Sequence, residues 1–256
     1  MCSRYYVELS PELRPIIEAA RHSSLAGKMV HDLGRPVVSE GEVRPTDIAP
    51  VLASNSRGTP SVFPMIWGFR QADRENTKRS QPLINARSET ADVKPTFREC
   101  WQRRRCVVPA SYYFEWQHLA ALANVDPAAA PAVHMPADAF RMPETHASRT
   151  AESNALRAAD TKKAARETSR TADKFAIQPA GETVTWLAGL YRIENGYPFF
   201  TILTREPSAE LAKIHDRMPL ILPKNLTEEW ISPGTSPERV KQIAASALTD
   251  MVFERV

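Results

Sequence analysis

The stretch Arg105-Cys106-Val107-Val108-Pro109-Ala110-Ser111-Tyr112-Tyr113-Phe114-Glu115-Trp116-Gln117 sets two β-branched and aromatic runs end to end, with a proline and two small residues between them. Such runs read as strands, here 106–109 and 111–117. Working outward, the same texture recurs at 62–67 (VFPMIW), 183–191 (TVTWLAGLY), 198–204 (PFFTILT) and 218–222 (MPLIL), each bounded by Pro, Gly or Asn. Strands therefore dominate the core. A helix is expected over 11–23, behind Ser10 as N-cap, where Leu13, Ile16, Ile17 and Ala20 recur at helical spacing. Shorter helices are expected at 95–104, 207–213, 225–231 and 236–247, the last announced by Ser236-Pro237.

Directly after the 111–117 strand the composition changes. Of the 57 residues from 117 to 173, 17 are Ala, Phe140 alone is aromatic, and Gly is absent. A segment with so little to bury reads as a low-complexity surface insertion. The chain as a whole has 256 residues, 43% of them hydrophobic, and is expected to form one domain, 1–256, interrupted at about 117–173. Its nine glycines allow neither G-x-G-x-x-G nor G-x-x-x-x-G-K-[ST], which excludes the glycine-rich nucleotide cradles. Arg4, Glu8, Glu12 and Arg14 break up the N-terminus, and no long apolar run follows. Neither a signal peptide nor a membrane span is expected, and the protein is read as intracellular: cytoplasmic and nucleoid-associated if bacterial.

The formal charge is +3, but residues 51–116 alone carry +5. Arginine outnumbers lysine 24 to 9, and a planar guanidinium suits bidentate phosphate contact. Three cysteines, Cys2, Cys100 and Cys106, form no C-x-x-C pair, and the six histidines form no H-E-x-x-H. No disulfide framework, metal or cofactor is expected.

Four segments can carry chemistry. In an extended 112–116, Tyr113 and Glu115 share one face, and a carboxylate among aromatic side chains is a candidate acid or base; the pattern alone favours an exposed Glu on the wet face of a half-buried strand. If 84–90 is extended, Asn85, Arg87 and Glu89 align, either to orient an anionic ligand or as a cross-strand ladder. His215, before the 218–222 strand, is a catalyst or a packed side chain. Trp67 is a base-stacking platform or a core residue. The run Arg103-Arg104-Arg105 reads as a solvated helix end. At the N-terminus, the small residue Cys2 permits removal of Met1, which would expose an aminothiol.

Cys2-Ser3-Arg4, Arg44-Pro45-Thr46, Trp67-Gly68, Asn85-Ala86-Arg87-Ser88-Glu89-Thr90, Arg105-Cys106-Val107-Val108-Pro109-Ala110, Phe114-Glu115-Trp116, Ala188-Gly189-Leu190 and His215-Asp216-Arg217-Met218-Pro219, in that order, resemble the signature of the SOS-response-associated peptidase family. The resemblance spans the chain apart from 117–173. It departs at Ser3, where the family usually has Gly, at Tyr112-Tyr113-Phe114 in place of Gly-Phe-Tyr, and after Gly68, where Phe69-Arg70-Gln71 replaces an apolar-Pro continuation. The fold expected is α+β, one domain of curved antiparallel sheets forming a barrel-like core with short peripheral helices.

What the resemblance implies is a sensor of abasic sites in single-stranded DNA. Cys2, freed of Met1, would trap the ring-opened sugar aldehyde as a thiazolidine. Glu115 would shuttle protons, His215 would assist ring opening and imine chemistry, and Asn85 would orient amine and sugar. Arg4 and Arg87 would hold flanking phosphates, Trp67 would stack a base, and Trp116 would line the DNA. The resemblance also implies cleavage of the Met1–Cys2 bond by the protein itself, with lyase activity as a further possibility. The expected partner is single-stranded DNA containing abasic sites, bound by a monomer with no metal and no membrane. Two other functions fit the residues: a non-covalent single-stranded DNA-binding module, and a cysteine peptidase acting on other proteins.

Overall fold

The computed structural model describes residues 2–71, 81–117 and 173–256. The strand pair in 105–117 organises it. β6 (Arg105–Ala110) belongs to one sheet and β7 (Tyr112–Trp116) to another, so the chain changes sheets at Ser111. Hydrogen bonds pin that corner: the Ser111 amide donates to the Tyr6 carbonyl at 2.8 Å, its hydroxyl accepts from the Glu8 amide at 2.9 Å, and its carbonyl accepts from the Thr185 hydroxyl at 3.0 Å. Ala110 and Ser111 are small enough for two sheets to meet there.

The first sheet closes on itself. β3 (Ile48–Ser54) and β4 (Pro60–Trp67) form a hairpin, and β6 pairs with β3. β9 (Thr185–Glu194) pairs with β6, and β10 (Tyr197–Arg205) pairs with β9. β10 then meets β4, at Phe199↔Ile66 and Phe200↔Trp67, which completes a five-strand barrel. Farther along the same edge of β10 runs β5 (Asn85–Arg87), with Ile202 opposite Asn85. The β9–β10 turn is Asn195-Gly196, both at positive φ (50° and 82°), the pair a two-residue hairpin prefers. Inside the barrel wall, a Cβ on Gly189 would stand 2.9 Å from both Cys106 Sγ and the Thr201 carbonyl, so the strands pack closely only because none is there.

The second sheet is antiparallel throughout. Its order is β12 (Met251–Arg255), β8 (Lys174–Pro179), β7, β1 (Arg4–Val7), β2 (Gly41–Val43). Its inner face, with Tyr5, Tyr113 and Ile177, joins the barrel core; its outer face carries a separate cluster of Tyr112, Phe114 and Ala176, with Tyr6 and Trp116 packed on it. Short helices flank the sheets: α1 (Arg14–Arg21), α2 (Ser24–Leu33), α3 (Ser88–Ala91), α4 (Pro95–Arg103), α5 (Thr227–Ile231) and α6 (Pro237–Ala245). The Ser236 hydroxyl caps α6 as expected, accepting from the Arg239 amide at 3.2 Å.

The structure has the expected α+β, barrel-like fold, with differences in detail. β10 runs parallel to both β4 and β5, where antiparallel pairing was expected, because these strands reach it through crossovers rather than hairpins. The helix expected at 207–213 shrinks to a 3₁₀ turn at Leu211–Lys213, and the strand at 218–222 to β11 (Met218–Pro219). Apart from its end residues Gln117 and Asp173, the 117–173 insertion lies outside the described residues.

Arg105 overturns the reading of 103–105 as a solvated helix end. Arg103 closes α4, but Arg105 is 2% exposed and stands in β6. Its guanidinium donates to the carbonyls of Trp230, Trp101, Gln102 and Ser232 at 2.6–2.7 Å, which satisfies C-terminal carbonyls of α4 and α5 at once. Burial lowers its pKa to about 10, so it keeps its charge at neutral pH. Arg105→Ala would leave buried carbonyls unpaired, at ~1–3 kcal/mol each for the best-buried ones. Urea unfolding of this variant is expected to show a loss of more than about 3 kcal/mol.

Candidate active site

Cys2 lies just before β1, on the side where β1 runs beside the Trp116 end of β7, since Arg4 pairs with Phe114. It is 0% exposed and packs in the main core. Its Sγ lies 3.6 Å from the Arg4 carbonyl, and burial, followed by the nearby Glu115 charge, pushes its thiol well above the ordinary range. Asn85, the first residue of β5, donates from Nδ2 to the Cys2 carbonyl at 2.8 Å. The partial strand β5 thus exists where it can tether the N-terminus to the barrel.

Glu115 comes from β7 and, unlike the wet-face alternative, is 3% exposed on the inner side. Burial raises its pKa to about 7. That value suits a group that must both accept and release a proton near neutrality. His215 follows the Leu211–Lys213 turn, and its Nε2 lies 3.9 Å from Glu115 Oε2. This is longer than a hydrogen bond, and a shift of ~1 Å would close it.

The other imidazole nitrogen decides the tautomer. The buried Arg217 amide donates to Nδ1 at 3.1 Å, while Asp216 Oδ1 sits 2.8 Å from the same atom and asks for a proton there. Asp216 is 80% exposed and water can serve it; the Arg217 amide has no such substitute. With the Arg217 amide donating to Nδ1, the neutral ring carries its proton on Nε2, the nitrogen facing Glu115; with the proton on Nδ1 toward Asp216, Nε2 presents its lone pair there instead.

Arg217 locks this loop in place. Its guanidinium spans both Glu89 carboxylate oxygens (2.9 and 2.8 Å) and the Thr204 carbonyl (2.8 Å), which ties the His215 loop to α3 and β10. The expected alignment of Asn85, Arg87 and Glu89 therefore holds only for the first two. The chain turns into α3 at Ser88, and Glu89 serves Arg217 instead.

The remaining expected residues divide. Arg87 is exposed on the Asn85 face of β5. Arg4 and Trp116 meet on the outer face of the second sheet: the Arg4 guanidinium lies 5.5 Å from the Trp116 ring centre and pairs with Glu42 at 2.6 Å. Lys174 joins them, 3.5 Å over the Phe114 ring. Trp67 does not fit the base-stacking role. It is 0% exposed, stacked on Phe200 at 6.0 Å, tilted against Tyr5 at 5.2 Å, and its Nε1 donates to the Ile84 carbonyl at 3.0 Å. It is the floor beneath Tyr5 and β5, with no face left for a base. The +5 of residues 51–116 is also dispersed, since Arg105 is internal and Arg104 pairs with Glu99.

Sequence reasoning missed the Arg217–Glu89 pairing, because a partner 128 residues away leaves no local pattern, and it gave Lys174 no role. Among the described residues no group of His, Cys, Asp or Glu could hold a metal ion, and no helix is long and apolar enough to cross a membrane.

The barrel and the second sheet thus bring Cys2, the Asn85 amide, the buried Glu115 carboxyl and the His215 imidazole into one region, a candidate acid–base site. Residues 1–134 and 162–256 match the profile of the SOS response associated peptidase (SRAP), and the chain belongs to that family. The unmatched gap falls inside the Ala-rich insertion.

Among curated proteins, the chain is 27% identical over 215 residues to the abasic site processing protein YoaM of Bacillus subtilis, covering 80% of this chain and 74% of that one. It is 24% identical over 186 residues to the abasic site processing protein YedK of Escherichia coli, covering 72% of this chain and 60% of that one. Among solved structures, a protein from Bacteroides thetaiotaomicron superposes with a TM-score of 0.62 at 18% identity, covering 100% of this chain and 92% of that one. A phage-related protein from Bordetella bronchiseptica gives 0.57 at 18% identity, covering 100% and 94%. These two share the fold.

Proposed function

We propose that the chain senses abasic sites in single-stranded DNA and, once Met1 is removed, traps them as a thiazolidine on Cys2. The observation that carries this reading is Asn85 Nδ2 at 2.8 Å from the Cys2 carbonyl, with Glu115, paired to His215, near enough for its charge to act on the Cys2 thiol. An N-terminal cysteine offers an amine and a thiol on neighbouring carbons. The amine, with a reference pKa of ~7.7–8.0, is partly neutral at physiological pH and condenses with the aldehyde of the opened sugar. The thiol then adds to the imine carbon, and one water is lost overall.

Each residue has a task in that sequence. Asn85 fixes the Cys2 backbone and presents its Oδ1, which is buried and has no hydrogen-bond partner among the described residues, to the amine or a sugar hydroxyl. Glu115, at about 7, takes a proton from the amine and delivers one to the departing hydroxyl. His215 donates from Nε2 into the same space. Exposed Arg87, and Arg4, Trp116 and Lys174 on the outer face of the second sheet, would contact phosphates and a base along the strand. Glu115 and His215 would also shuttle protons in cleavage of the Met1–Cys2 bond, in keeping with the hydrolytic half of the family name. The site chemistry also admits a lyase step, since an imine on the sugar carbon labilises the 3′ phosphate.

The test is the intact mass of Met1-free protein mixed with a single-stranded oligonucleotide carrying one abasic site. A heat-stable species at the summed masses less one water is expected. Salt-sensitive binding that is the same with a tetrahydrofuran analogue, and leaves no such species, would instead make the chain a non-covalent binding module.

A further inference from the structure

Asp216 has no task in the scheme above, yet its Oδ1 stands 2.8 Å from His215 Nδ1. The ring is buried while the carboxylate is 80% exposed, and an acid left in water adds little stability through a partner beside it. Its place on the ring calls for a chemical reason. The same nitrogen accepts the Arg217 amide at 3.1 Å. The two contacts make opposite demands of Nδ1: the amide needs a lone pair there, and the carboxylate needs a proton.

Proton transfer at Nε2 decides which contact turnover uses. A neutral ring with its proton on Nε2 is a poor acid, since giving that proton away would leave an imidazolate anion. Two forms can exchange protons at Nε2: the imidazolium, which donates, and the Nδ1–H tautomer, which accepts. Both carry a proton on Nδ1, where the Arg217 amide cannot receive it and Asp216 Oδ1 can.

We infer that Asp216 is a positioning residue, which puts His215 into its proton-transferring form by accepting the Nδ1 proton. This rests on the reading of Glu115 and His215 as the pair that serves an abasic sugar at Cys2. In opening of the sugar, the C1′ hydroxyl gives its proton to Glu115 and the C1′–O4′ bond breaks, its electron pair going to the ring oxygen. That oxygen takes the Nε2 proton of the imidazolium. Glu115 then returns its proton to Nε2 across the 3.9 Å that separates that nitrogen from Oε2. Asp216 holds Nδ1–H throughout and touches neither sugar nor DNA.

The surroundings leave this duty to Asp216. Glu115 of β7 faces Nε2, on the other side of the ring. Arg217, from the same loop, has its guanidinium engaged by Glu89 of α3 at 2.8 and 2.9 Å, so its charge is matched away from the imidazole. Lys213 closes the 3₁₀ turn two residues before the histidine. After burial, the Asp216 charge also contributes to raising the Glu115 pKa, so one exposed carboxylate acts on both members of the pair.

Long-range ¹H–¹⁵N spectra of the imidazoles in Met1-free protein, without DNA, read the proton on each ring nitrogen, with the His215 signals assigned by their loss in His215→Gln. In Asp216→Ala the midpoint of His215 protonation is expected to fall by about one pH unit, and its neutral ring to carry the proton on Nε2 alone. Single-turnover crosslinking to an abasic oligonucleotide should slow by about tenfold at pH 8, and by less at pH 6.5 where the ring regains its proton. Asp216→Glu should restore most of the rate. Affinity for a strand carrying a tetrahydrofuran analogue should be equal or tighter, because a negative charge has gone.

An unchanged midpoint and tautomer in Asp216→Ala would overturn the inference. So would slowing that follows weaker binding of the tetrahydrofuran strand, or a rate that Asp216→Glu fails to restore. If wild type gives no adduct, the reading of the site as an abasic-sugar trap falls, while the spectra still decide whether Asp216 governs the His215 proton.

Discussion

Cys2→Ser is expected to abolish the heat-stable DNA adduct while leaving a borohydride-trappable imine. The two halves of the aminothiol act in sequence, so the variant separates them. Its amine still condenses with the aldehyde, but a hydroxyl at Sγ is a far poorer nucleophile, and the imine hydrolyses when the protein is denatured. Cys2→Ala should behave the same way. Fold stability reports separately: Cys2 is fully buried, and a serine there costs about 1–3 kcal/mol for a hydroxyl without a partner. An adduct of undiminished yield in either variant would remove Cys2 from the mechanism.

Glu115→Gln is expected to slow crosslinking by about 10²–10⁴-fold, the range of a lost general acid–base. The pH profile gives a sharper signature. In wild type two ionisations shape the rising limb, Glu115 at about 7 and the Cys2 amine above it; the variant should keep only the second. Stability should move the other way. The folded-state pKa of about 7 lies above the reference value of 4.5, so the carboxyl's contribution is fully present below pH 4.5 and is lost as pH rises through 7. At 1.36 kcal/mol per unit the loss approaches ~3 kcal/mol. Urea titrations of wild type at pH 5 and pH 8.5 should show it, and Glu115→Gln should hold level between them. A variant that is slower yet more stable at alkaline pH is the mark of a carboxylate kept in an unfavourable place for chemistry.

Cys2, Asn85, Glu115 and His215 stood out as candidates because each sits in a short, dense motif, and β7 was legible because aromatic residues crowd it. β3 was not. Pro50 lies in its middle and reads as a breaker, yet it pairs with Pro64 of β4. The neighbouring strands register with β3 only at Leu52 and Ala53 and with β4 only at Ile66 and Trp67, so neither proline has to supply an amide. β1, β8 and β12 were missed because they are short strands of mixed polarity whose stability comes from one another. Trp67 was ambiguous for the opposite reason: an aromatic beside glycine looks the same whether it meets a base or Phe200, and only closure of β4 on β10 settles it. Arg105 looked like one of three equivalent arginines, and nothing nearby announced that carbonyls from Trp230 and Ser232 would arrive to meet it.

The ladder between β7 and β8 also explains how the chain accommodates its Ala-rich tract. Trp116 pairs with Lys174, and the Gln117 amide donates to the Asp173 carbonyl at 2.9 Å, so the tract leaves and re-enters through adjacent rungs. To the sheet this junction is the mouth of an ordinary hairpin, whatever is spliced above it. Loop-closure entropy grows only as the logarithm of length, so exchanging the tract for a four-residue turn would alter stability by just ~2 kcal/mol. The tract can therefore be exchanged for a short turn while Glu115, two residues below the junction, keeps its position in the β7–β8 ladder.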